Sequence, residues 1–192
     1  MPVNTGFWAY RLLKLQAMGW LLVGQRERAL SAFSEMARRW PQDAYTLASR
    51  AHVLAQLGRR TQAIADAQTL VAAHPRRSAA DWFNLAFLLD EERRTDDAEQ
   101  AFRSALALDP QLDRAWYGLG LVLIRLGRLD EAVNALKRTT ELQPMSPYGW
   151  YQLARVHMDT HKPEEARRII GHLKGFEPKV AAQLERETGL VA

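Results

Sequence analysis

Three tryptophans, Trp82, Trp116 and Trp150, stand 34 residues apart, and the residues that follow each of them recur in one order. Leucine comes three residues later (Leu85, Leu119, Leu153) and a small residue one position further on (Ala86, Gly120, Ala154). Sixteen residues past each tryptophan lies alanine (Ala98, Ala132, Ala166), twenty past lies Phe102, Leu136 or Ile170, and twenty-eight past lies Pro110, Pro144 or Pro178. Pro41 and Pro75 continue the proline ladder backward, with Ala29 and Phe33, then Ala63 and the smaller Ala67, in the matching places. Such a period constrains the fold more than composition does. A unit this short cannot bury an apolar face alone, so successive units must stack on one another. Five units span residues 10–178, with one extra residue near Arg76 to Ser78.

Within a unit the period is helical. Leu119, Val122, Leu123 and Leu126 recur at helical spacing through the Gly-Leu-Gly of residues 118–120. A dinucleotide-binding turn would need a third glycine where Leu123 stands and a strand leading in, and neither is present. Glycine in a helix interior costs about 1 kcal/mol against alanine, and Gly120 is explained as the periodic small position that lets two helices approach closely. Each unit therefore reads as two amphipathic helices. Gly24, Gly58 and Gly127 end first helices in left-handed geometry, and a proline closes each second helix. The tryptophans are expected in the repeat core, so that Trp116→Ala costs roughly 3 to 5 kcal/mol.

This ladder resembles the tetratricopeptide repeat family, whose order of Trp, Leu-Gly, Tyr, Ala, Phe and Pro is matched best by residues 113–146. The resemblance implies an all-α, right-handed superhelical solenoid of helix-turn-helix repeats. It divides the chain into a lead-in over 1–9, units over 10–43, 44–78, 79–112, 113–146 and 147–178, and a C-terminal capping helix within 179–192. In that cap Val180, Ala181 and Leu184 share one side. Leu13 and Leu47 replace the leading tryptophan in the first two units, and Trp20 and Leu54 take the later aromatic place, so these units are expected to pack less regularly.

Chemistry is sparse. The 192 residues contain no cysteine, which removes disulfides, thiolate metal sites and cysteine nucleophiles. His157 and His161 stand four apart but lack the glutamate of a metalloprotease helix, and their register matches Leu89 or Leu123 and Gly127, which points to packing and turn roles. Asp90-Glu91-Glu92 and Asp96-Asp97 flank an expected turn without a histidine, lysine or serine tied to them by motif. No enzyme activity, metal or cofactor is expected. Arg11 and Lys14 interrupt the apolar stretch from Phe7 to Gly24, which is expected to be a soluble helix rather than a signal peptide or membrane span, and a cytoplasmic location follows.

The formal net charge of +4 is unevenly spread: residues 1–78 carry 11 Lys/Arg against 4 Asp/Glu, and residues 79–112 carry 3 against 8. A stripe on the first helices, at two residues before and one, five and eight after the tryptophan place, shares a face turned away from the packing side. It reads Arg11, Lys14, Met18, Leu21; Tyr45, Ala48, His52, Ala55; Ala80, Phe83, Phe87, Asp90; Arg114, Tyr117, Leu121, Ile124; Tyr148, Tyr151, Arg155, Met158, with Arg125 beside it. The family resemblance implies that this face lines a concave groove for a partner segment. Six aromatics with several bases on one face are the material of a binding hot spot, and some of the aromatics are also placed to fill gaps between units. The carboxylate-clamp mode of the family is matched only in part, by Lys14 or by Asn84 with Arg114, because Met18 and Ala80 break the set.

The chain is thus expected to be a non-catalytic adaptor that binds another protein or peptide segment. The alternatives are a helical-repeat RNA binder, suggested by the basic N-terminal half, and a self-assembling scaffold. The last follows from Phe7, Trp8, Leu12 and Leu15, which precede or open the first unit with no helix to cover them.

Overall fold

The computed structural model describes residues 5–192, and the first four residues of the lead-in lie outside it. The described residues form eleven α-helices and no strand. In order these are α1 (Thr5–Leu22), α2 (Arg26–Arg39), α3 (Ala44–Gln56), α4 (Arg60–Ala73), α5 (Ala79–Glu91) and α6 (Thr95–Leu108). They continue as α7 (Asp113–Arg125), α8 (Leu129–Leu142), α9 (Pro147–Asp159), α10 (Pro163–Lys174) and α11 (Pro178–Thr188). The chain divides into two compact bodies, one up to Glu92 and one from Arg93. Within each body every helix packs against the next, and α11 also touches α9. Among the described residues no helix is long and apolar enough to cross a membrane.

The turns follow from the residues at their centres. Gly24, Gly58 and Gly127 have φ of +74°, +73° and +72°. The residue after each donates its backbone N–H five residues back, as in Arg59 to the Leu54 carbonyl at 2.8 Å, which satisfies a carbonyl that the helix end leaves open. The same place in the other units is filled by Arg93 at φ 60° and His161 at φ 57°, two residues that bear the left-handed penalty glycine avoids. His161 therefore has the turn role expected of it. Prolines at 41, 75, 110 and 144 stand immediately after the C-caps of the second helices, and Pro178 opens α11.

The core is built on small residues at fixed places. Ala29, Ala63, Ala98, Ala132 and Ala166 on the second helices are all 0% exposed, as are Ala17, Ala86 and Ala154 on the first. A Cβ on Gly120 would stand 2.8 Å from Leu136 Cδ2, so the glycine is what admits Leu136 from α8. Gly118 makes the same concession to α6, since a Cβ there would lie 2.4 Å from the Phe102 ring. Ala181 and Leu184 of α11 are fully buried while Lys179, Gln183, Arg186 and Glu187 stay exposed, giving the C-terminal body a polar outer helix.

The tryptophans are not where the ladder suggested. Trp82, Trp116 and Trp150 are half-buried rather than in the core, and each indole Nε1 donates to a proline carbonyl, of Pro75, Pro110 and Pro144, at 2.9, 2.9 and 2.8 Å. An indole N–H needs an acceptor, and the turn before the first helix supplies one that the helical core lacks. The tryptophan and proline ladders are therefore two ends of one contact. At the start of the chain, where leucine stands in the tryptophan place, a different clasp appears. Tyr10 packs edge-on against Trp40 at 5.1 Å and donates to the Asp43 carboxylate at 3.0 Å, the same group that caps α3 through Thr46. Burial and the Asp43 contact push the Tyr10 hydroxyl up to about 12.

Chemical denaturation tests these assignments. Gly118→Ala is expected to destabilise the fold, because overpacking against the buried Phe102 ring, at about 1–3 kcal/mol, outweighs the helix-propensity gain of about 1 kcal/mol. Gly171→Ala in α10, with no atom within 4 Å of the added Cβ, should show only the gain. Half-burial lowers the cost expected for Trp116→Ala to about 2 kcal/mol, and Trp116→Phe, which removes the N–H with the second ring but keeps an aromatic ring in place, should lose about 1 kcal/mol.

Candidate functional site

None of the twenty stripe positions is buried. In the N-terminal body the bases lean on rings: the Arg11 guanidinium lies 5.3 Å from the Phe7 ring centre, and Lys14 Nζ lies 3.7 Å above the ring of Tyr45. Tyr45 is half-buried and in ring contact with Phe33. His52 is exposed, with Nε2 2.9 Å from the Gln56 amide. Phe83 is half-buried, whereas Phe87 is 52% exposed.

In the C-terminal body Tyr117, Tyr148 and Tyr151 come together around a recess of about 290 Å³, completed by Pro147, Gln152, Val180 and Gln183. Tyr117 and Tyr151 are half-buried against the apolar core there, so they serve packing as well as surface. Tyr148 is 69% exposed. The Tyr151 hydroxyl donates to Glu187 of α11 at 2.7 Å, and that bond raises its pKa. Arg155 lies over the Tyr151 ring at 5.8 Å. Arg114 and Arg125 are exposed and line neither this recess nor the cavity of the other body.

That cavity, of about 380 Å³, lies in the N-terminal body among α3, α4 and α5. Its floor is apolar, from Ala48, Ala51, Ala55, Ala67, Leu70 and Leu88, and its polar lining comes from His52, Gln56, Asn84 and Asp81 with Phe87 beside them. Asp81 is buried, and its carboxylate is held in a fork by Arg77 at 2.7 and 2.6 Å. The stripe named Ala48, His52, Ala55 and Phe87 but missed Gln56, Asn84 and Asp81. The signal for the cavity was in the register. Ala48 stands where other units carry Phe83, Tyr117 and Tyr151, and Ala67 stands where they carry Phe33, Phe102, Leu136 and Ile170. Smaller side chains at those places leave space that the other units fill.

No group of three or more His, Asp or Glu among the described residues is placed to hold a metal. His157 is buried, with Nδ1 lacking a hydrogen-bond partner, and burial, then Lys137, lowers its pKa; Lys162 acts in the same sense and Glu165 against it. Glu91 lies 3.3 Å and Glu92 3.9 Å from Arg60, and Asp97 lies 2.6 Å from Arg94, so these members of the acidic clusters are ion-paired around the turn.

Comparison with known proteins places this geometry. Two profiles described as tetratricopeptide repeat match residues 48–113 and 90–151, which together span more than half of the chain. No curated protein sequence gives a significant match. Among solved structures, a MamA protein superposes with a TM-score of 0.83 at 18% identity, over 96% of this chain and 97% of that one. MamA from Desulfovibrio magneticus RS-1 gives 0.78 at 20% identity, over 95% and 98%. YrrB, described as a TPR protein with an unusual peptide-binding site, gives 0.79 at 18% identity, over 88% of each chain. At these identities the likeness is one of fold.

The buried histidine makes a pH prediction. Its folded pKa lies below the ordinary 6.5, so its contribution to stability is fully present above pH 6.5 and declines as pH falls from there toward the lowered value. His157→Leu, the residue found at 89 and 123, should flatten that acid limb and stabilise the fold by about 1 kcal/mol at neutral pH, as read from urea denaturation at several pH values.

Proposed function

Because the chain belongs to the tetratricopeptide repeat family, we propose that it is a non-catalytic adaptor that binds a segment of another protein along its first-helix face. The cavity among α3, α4 and α5 carries this reading. An apolar floor with two carboxamides and an exposed phenylalanine beside it is suited to take an apolar side chain while Gln56 and Asn84 engage the adjoining polar backbone. Its volume of about 380 Å³ falls in the range of formed ligand sites. The tyrosine-lined recess of the C-terminal body offers a second foothold of the same character. The fold shared with YrrB, a peptide-binding TPR protein by its description, supports the same class of ligand.

Lys14 and Arg11 already rest on aromatic rings, and the partner's anchor is accordingly apolar rather than a carboxylate. Phe87 and Tyr148 serve as the main anchoring aromatics, because both are more than half exposed and neither is committed to the core. Tyr117 and Tyr151 contribute through the packed half of their rings.

Panning a displayed peptide library on the immobilised chain, followed by affinity measurement of the recovered peptides, tests the proposal. Phe87→Ala or Tyr148→Ala should weaken binding on the order of 30-fold with the thermal transition unchanged. Ala48→Tyr, which introduces the residue found at 117 and 151, should fill the cavity and abolish binding. Arg168→Glu on α10 serves as the control. Peptides that bind all three face variants normally but lose Arg168→Glu would contradict the site, and RNase-sensitive recovery of RNA alone from its own cells would contradict the ligand class.

A further inference from the structure

Helix α1 exposes more apolar surface than its own fold accounts for. One arc of the helix holds Tyr10, Leu13, Ala17 and Trp20, all buried or half-buried. The opposite arc carries Phe7, Trp8, Leu12, Leu15, Leu22 and Val23, between 50 and 89% exposed, and the helix contains no acidic residue. These six side chains present on the order of 800 Å² to solvent, more than the largest patch of a typical monomer and about what each partner contributes to a standard interface.

We infer that this face is the seam of a two-fold dimer, in which the α1 helices of two copies cross antiparallel with Leu15 of each seated on Gly19 of the other. Trp8, Leu12, Leu15, Gly19 and Leu22 form one ridge at spacings of three and four. Antiparallel pairing centred at the level of residue 17 sets Leu15 opposite Gly19 and Leu12 opposite Leu22, so the ridge from Leu12 to Leu22 complements itself. The same register brings Arg11 to the C-terminal end of the partner's α1, where a cation meets the negative end of the helix dipole, and keeps the two Arg11 side chains roughly 18 Å apart along the axis. A parallel pairing would set Arg11 against Arg11.

Gly19 gives the second observation. A Cβ there meets no atom within 4 Å, unlike Gly118 and Gly120, whose neighbours demand a glycine. Glycine disfavours a helix interior, so at Gly19 its use lies outside this copy, in the close approach of another helix. Gly171 is equally open, but Arg167, Arg168 and Lys174 surround it on its face of α10 rather than an apolar ridge. The occupant is a second α1 rather than the other end of a second chain, because α11 turns Lys179, Gln183, Arg186 and Glu187 outward and offers no apolar complement.

Sedimentation equilibrium of the full chain from low to high micromolar concentration tests the inference. The expected result is a mass rising to twice the monomer's 21.8 kDa. A Cβ at Gly19 meets nothing in its own chain, so Gly19→Leu should keep or raise the helix content and melting temperature of the dilute monomer while weakening the dimer roughly 30-fold or more. The chain has no cysteine, so oxidising a mixture of Leu15→Cys and Gly19→Cys should give a covalent dimer that Leu15→Cys alone does not. A monomer at every concentration, a dimer indifferent to Gly19→Leu, or equal cross-linking by Leu15→Cys alone would overturn it. So would a monomer that co-sediments with phosphatidylserine vesicles and is released by Trp8→Glu, since the face would then be a lipid contact.

Discussion

Everything in this structure depends on how closely two helices are allowed to approach. The fully buried alanines at 29, 63, 98, 132 and 166, with Ala17, Ala86, Gly120 and Ala154 on the first helices, set that distance at the same place in each unit. Larger residues such as Phe33, Phe102, Leu136 and Ile170 then fill the space that remains. Where the residues at such places are small, as at Ala48 and Ala67, the same constraint leaves a cavity instead of a tighter pair, and the candidate binding site follows from those two local exceptions. Core architecture and candidate function are in this sense one property of the repeat, read at different positions.

The second-tier contacts hold turns rather than helices. Three indole N–H groups reach back to the proline carbonyls that precede their helices, and Tyr10 with Asp43 takes over near the chain start, where the tryptophan place holds leucine. Ion pairs link neighbouring second helices, as when Arg128 joins Glu99 at 2.6 Å and Glu131 at 2.7 Å. Arg128 and Glu131 are exposed and Glu99 is half-buried, and pairs this near to solvent contribute modestly to stability.

The helices, their turns at Gly24, Gly58 and Gly127, and the packing role of His157 were legible in the sequence because each depends on a period or a residue's own backbone preference. The half-burial of the tryptophans was not, because it depends on an acceptor in the preceding turn that a periodicity argument does not weigh. Gly118 was read only as a neighbour of Gly120, since its partner Phe102 lies in another unit and the pairing appears only once α6 is in place. The Tyr151 to Glu187 bond joins residues 36 apart and follows no ladder. The cavity was legible in principle, from the alanines at 48, 55 and 67 compared with the larger residues in the same register, but an alanine carries neither the ring nor the charge that marks a binding surface.

The central claim is that the first-helix face, with its α3–α5 cavity, receives a partner segment. Amide chemical-shift mapping with a peptide selected on the immobilised chain tests it most directly. The largest changes are expected on Ala48, Ala51, Ala55, Asn84 and Phe87, with the Gln56 side-chain amide among them. Changes concentrated on α2, α6, α8 and α10, with the cavity residues unmoved, would contradict it.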